Sequence, residues 1–111
     1  MKTEKIKLDA KRAIQGNFGA TQYGGNELKH KPSAYGLAFK YILHSRGVSY
    51  RDASRHTLMS AQNLNYTLNR MSKERFDYAL VDKLCTRLRL NRDYVDALSE
   101  EIERQLAEKG E

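Results

Sequence analysis

Five residues suited to capping a helix N-terminus, Ser33, Ser49, Ser60, Ser72 and Asn91, each stand before a stretch with helically spaced apolar residues. This punctuation predicts helices joined by short breaks. A first helix runs from the Ser33 cap to about Ser45, with Gly47 placed to take a left-handed stop. Leu37, Phe39, Ile42 and Leu43 give it a broad buried stripe. Ser49 opens a short helix to about Thr57, and Ser60 opens one through about Asn69. Ser72 opens a fourth, carrying Phe76, Leu80, Leu84 and Leu88, and Asn91 a fifth, carrying Val95, Leu98, Ile102 and Leu106. No alternating strand pattern and no internal repeat appears. The expected fold is all-α with five helices: a domain over residues 33–98, and the end of the last helix over 99–111.

Residues 1–32 read differently. Gly16, Gly19, Gly24 and Gly25 crowd into ten positions, and the one proline, Pro32, closes the segment. The expectation is a mobile or weakly ordered arm, with at most a short helix or strand around Ile6 to Ile14. "GNFG" inside it is a weak candidate for a phosphate loop, because no regular element flanks it.

The chain has 111 residues, enough for one modest core, and carries a net charge of +6. The charge is uneven: residues 1–31 hold seven basic and three acidic side chains, residues 32–98 eleven and six, and residues 99–111 two and five. A basic body with an acidic tail points to a polyanionic partner held away from the tail. With a single cysteine, Cys85, no internal disulfide can form, and a reducing compartment is expected. No apolar run is long enough to span a bilayer, and the first residues have no apolar signal region. The expected location is the cytoplasm.

The stretch "GVSYRDASRHTLMSAQNLNYTLNRM" holds two short helices around a break at Leu58–Met59. Ser54 supplies a small residue where the helices cross, Met59 an apolar plug for the turn, and Leu64 an anchor for the second helix. "SRGVSYRDASRHTLMSAQNLNYTLNRM" resembles the helix-turn-helix of the Cro/CI-like (XRE) phage-repressor family. "MSAQNLNYTLN" is also similar to the lactose-repressor type of motif. The resemblance covers roughly residues 34–98, from Phe39 and Ile42 to "FDYALVDKLCTRLRL". It implies a lambda-repressor-like fold whose second short helix enters the DNA major groove. Leu58 stands where the family has glycine, and a left-handed leucine would cost about 1 kcal/mol.

On a helical wheel, Leu64, Thr67, Leu68 and Met71 share one face of that helix. Gln62, Tyr66 and Asn69 lie opposite, flanked by Asn65 and Arg70. Asparagine is a poor helix former, whereas a solvated face normally carries Glu and Lys. The helix has no acidic residue, as docking against phosphate requires, and Gln and Asn can bond adenine's major-groove edge. The resemblance places base reading on Ala61, Gln62, Tyr66 and Asn65, with Gln62 foremost. Phosphate contacts are expected from Tyr50, Arg51, Arg55, Ser60, Asn69, Arg70 and Lys73. Lys2, Lys5, Lys7, Lys11 and Arg12 would bring the arm onto the duplex, as basic arms do in some relatives. Leu98, Ile102 and Leu106 are expected to pair with a second copy, so that two recognition helices read a palindrome.

No catalytic arrangement stands out. His30, His44 and His56 are dispersed, Cys85 has no ligand partner at metal spacing, and no nucleotide-binding or nucleophile motif appears. The expectation is a non-enzymatic, cofactor-free regulator of transcription, a small repressor of phage or mobile-element type. Two other readings stand beside it: an antitoxin or adaptor that also binds a protein, and an RNA-binding protein using the arm and "GNFG".

Overall fold

The computed structural model describes residues 3–15, 33–72 and 74–110, and all the regular structure among them is helical. Six helices follow in order: α1 Thr3–Gln15, α2 Ala34–Ser45, α3 Tyr50–Ser54, α4 Ala61–Asn69, α5 Tyr78–Leu88 and α6 Arg92–Gly110. Lys2, Lys73 and the "GNFG" stretch lie outside the described residues.

Four of the five expected caps hold. Ser33, Ser49 and Ser60 accept from the backbone amides of Gly36, Asp52 and Asn63 at 3.0–3.1 Å. Asn91 Oδ1 accepts from Asp93 and Tyr94. Gly47 takes the expected left-handed turn, at φ 70°. Ser72 does not open a helix. Its Oγ accepts from the Arg75 amide in a local turn, and α5 begins only at Tyr78, capped by Asp77. Phe76 therefore precedes the helix, standing edge-on to Tyr35 and Tyr78 with the Arg92 guanidinium 5.1 Å from its ring.

The core forms where α2 meets its neighbours. Ala38, Phe39, Ile42 and Leu43 of α2 are buried with Leu64 and Leu68 of α4, Leu80, Val81 and Leu84 of α5, and Val95, Leu98 and Ile102 of α6. α2 packs on α1, α4 and α6, and α3 packs on α4.

Two expectations are corrected here. The first concerns residues 3–15 of the expected arm: the helix allowed around Ile6 to Ile14 runs from Thr3 to Gln15 and is docked on α6 and α2, while residues 16–32 lie outside the described residues. Its buried face consists of Ala10 and Ala13, both fully enclosed, and Asp9, only 2% exposed. The Asp9 carboxylate accepts from Tyr41 (3.0 Å), Tyr94 (2.5 Å) and Lys5 (2.9 Å), one donor from each of three helices. Burial pushes that carboxyl up, but the three hydrogen bonds outweigh it and hold the group below its ordinary value. Small alanines let the helix axes approach, and the Asp9 hub fastens them. The second correction is the partner stripe on the last helix. Leu98 and Ile102 have no exposed surface, because the chain's own core takes them. Only Leu106, 37% exposed, remains near the surface.

Candidate nucleic-acid interface

The sequence from Ser49 to Met71 folds as two short helices across a compact turn. Ala53 of α3 and Leu64 and Leu68 of α4 are fully buried, and Met59 packs against the same core from the turn. The enclosed small residue is Ala53; Ser54 is half-buried and returns its hydroxyl to the Arg51 carbonyl.

α3 is shorter than expected. After Ser54 the chain tightens, the amides of Arg55, His56 and Thr57 each bonding the carbonyl three residues back. Thr57 Oγ1 then donates to the Ser54 carbonyl and accepts from the Met59 amide. Because these bonds build the turn with ordinary dihedrals, glycine is not needed. Among the described residues only Arg89 is a non-glycine with positive φ. The strain expected at Leu58 is absent, and its side chain stands 99% exposed at the tip.

The far end of α4 is fastened to the start of α2. The Ser33 amide donates to the Asn69 carbonyl (2.8 Å), and its hydroxyl to the Leu68 carbonyl (3.2 Å), so α2 pairs carbonyls that α4 leaves open. At Gly36 a Cβ would stand 2.8 Å from Asn69 Cα, so only glycine lets the helices meet this closely.

This docking decides which amides face outward. Asn65 Oδ1 accepts from the buried Lys40 ammonium at 2.7 Å and from Asn69 Nδ2 at 3.3 Å. Asn65 and Asn69 therefore point toward α2, correcting the base-reading expectation for Asn65 and the phosphate expectation for Asn69. Tyr50 is corrected too: it is 3% exposed, with its ring beneath Lys40. Ala61 is half-buried against the core.

The outer face keeps Gln62, Asn63, Tyr66 and Arg70, all exposed. The Arg70 guanidinium lies 5.0 Å from the centre of the Tyr66 ring, which holds a flat aromatic and a cation side by side. Asn63, given no contact in the sequence reading, is exposed on the same face, between the Ser60 cap and the buried Leu64. Arg51, Arg55 and Ser60 are exposed around the same face, Arg55 within 3.5 Å of Asp52. The N-terminal cations are not brought here as a free arm. Lys7, Lys11 and Arg12 are exposed on the docked α1, and Lys5 is bound to Asp9.

Among the described residues, no group of three His, Cys, Asp or Glu side chains is placed to hold a metal ion. Cys85 is buried in α5, and burial pushes its thiol up. No helix of the described residues is long and apolar enough to cross a membrane. Comparison with protein-family models, curated proteins and solved structures returns no match.

Proposed function

We propose that the chain binds duplex DNA sequence-specifically through α4, as a small transcriptional repressor of phage or mobile-element type. The observation that carries this reading is the division of α4 between two faces. Leu64 and Leu68 are fully buried, while Gln62, Asn63, Tyr66 and Arg70 project outward from a helix without a single carboxylate. A helix of this width fits the major groove, where Gln62 and Asn63 can pair with adenine's edge. Leu58, just before the helix, offers an apolar contact for a thymine methyl group. Arg51, Arg55 and Arg70 neutralise phosphates and fix the register. The role as repressor and the bacterial or phage-infected setting rest on the resemblance to the Cro/CI-like family.

Selection of bound sequences from a random duplex pool tests the reading directly. A recovered consensus, palindromic if two copies bind together, is the expected result. Gln62→Ala should relax preference at one base-pair position by about 1–3 kcal/mol. Arg51→Ala should weaken binding evenly across sequences and lower the salt slope by about one. No consensus, together with affinity unchanged in both variants, would remove α4 as the reading element.

A further inference from the structure

Lys40 is the least expected side chain in the fold. It is 3% exposed in the middle of α2, where α2 meets α4. Its ammonium bonds Asn65 Oδ1 at 2.7 Å and lies 5.2 Å from the centre of the Tyr50 ring, joining α2, α3 and α4 at one point. A buried cation is ordinarily matched by a carboxylate. Here each neighbouring element withholds one. α4 has no acidic residue and presents Asn65 and Asn69. α3 presents the Tyr50 ring, and its Asp52 sits beside Arg55. On α1, Asp9 is taken by Tyr41, Tyr94 and Lys5. On α6, Asp96 pairs with Arg92, and Glu100 and Glu103 act on Tyr35, whose hydroxyl is pushed up first by burial and then by Asp96 and these two carboxylates. On α2 itself, His44 follows one turn later.

We infer that Lys40 is the positioning residue of the recognition face: it locks the middle of α4 through Asn65, and the polyanion bound outside α4 supplies the negative charge that the fold withholds. This inference rests on the DNA-binding reading for its partner, but the lock itself is a property of the free protein. Two kinds of observation make the coupling physical. The ammonium is held directly to α4 by Asn65 at 2.7 Å, on the helix whose outer face would meet phosphate, and a charge that is 3% exposed is screened less than one in open water. Burial also pulls its proton affinity down, to a pKa of about 8, so a nearby anion has room to raise it again. Binding of duplex therefore draws a proton onto Lys40, and affinity declines once the free protein no longer carries it.

Three proteins test this: wild type, Lys40→Met, whose side chain keeps the stem without the charge, and Asn65→Asp, which gives the ammonium a partner inside the fold. Affinity for the selected duplex is measured at fixed salt from pH 7 to 9.5. Wild type should lose about threefold to tenfold, the loss setting in near pH 8, as a change of half to one unit in proton affinity requires. Lys40→Met and Asn65→Asp should show no such step. A wild-type profile without the step, or one that both variants share, overturns the coupling. Amide hydrogen exchange in the free proteins tests the lock independently of DNA. Leu64 to Asn69 should exchange at least about tenfold faster in Lys40→Met than in wild type, with no change in the exposed control Lys83→Gln. Unchanged exchange in Lys40→Met overturns the lock. Faster exchange with no duplex bound by any of the three leaves the lock standing and rejects the DNA reading instead.

Discussion

Arg89 is the one described non-glycine residue held in the left-handed region, at φ 56° after the last turn of α5. Its amide and that of Leu90 both bond the Cys85 carbonyl, which is what makes the chain turn there. Arg89→Gly should stabilise the protein by about 1 kcal/mol, read as a higher denaturant midpoint with an unchanged slope. Gly36 is the opposite case. Gly36→Ala drives a methyl group into the Asn69 backbone, and should destabilise by about 1–3 kcal/mol in the same experiment. Capping residues were legible in the sequence because a cap is a bond within four residues. Ser72 misled because Asp77, five residues on, makes the same bond, and Phe76 sits at a helical interval from Leu80. The inward turn of Asn65 and Asn69 was not legible. A wheel centred on Leu64 and Leu68 finds the buried face but cannot know that α2 lies beside α4 as well as beneath it.

At the scale of elements, the helix allowed around Ile6 to Ile14 is present as α1, but its docking was not legible, because Asp9, Ala10 and Ala13 are its most buried residues and Ile14 is only half-buried against the core. Small alanines and a carboxylate on one face do not say which helices that face will meet. The Asp9 hub predicts how α1 responds to pH. Its carboxyl lies below the ordinary value of 3.8, so its contribution is fully present above that value and is lost as pH falls through the depressed one. Asp9→Asn should destabilise at pH 7 by about 2 kcal/mol, the worth of hydrogen bonds to a charged acceptor. The variant should also lose less stability than wild type between pH 5 and 2, as measured by urea unfolding. The turn between α3 and α4 was placed correctly but built differently, with successive three-residue bonds replacing the glycine that the family resemblance implied.

For the molecule as a whole, the all-helical class was legible, and the helix added to the five capped ones among the described residues is α1, where the sequence left a short helix or strand open. Leu98 and Ile102 were rightly read as one apolar stripe. What the stripe covers depends on α1 and α2, which reach it from residues more than fifty positions away. Leu98→Ala or Ile102→Ala should therefore cost about 2–5 kcal/mol of stability. Sedimentation should show the same oligomeric state as wild type, where a partner-helix stripe would instead show dissociation.

α4 spends its asparagines in two currencies that do not mix. Asn65 and Asn69 are tied to Lys40, Gly36 and Ser33, while Gln62, Asn63 and Tyr66 touch little of the fold. Changes at positions 62, 63 and 66 can accumulate with the helix still seated, so the chemistry of its outer face is free to drift from one lineage to the next without a repacked core. A library randomised at those three positions alone should yield mostly folded proteins, whereas one randomised at 65 and 69 should not.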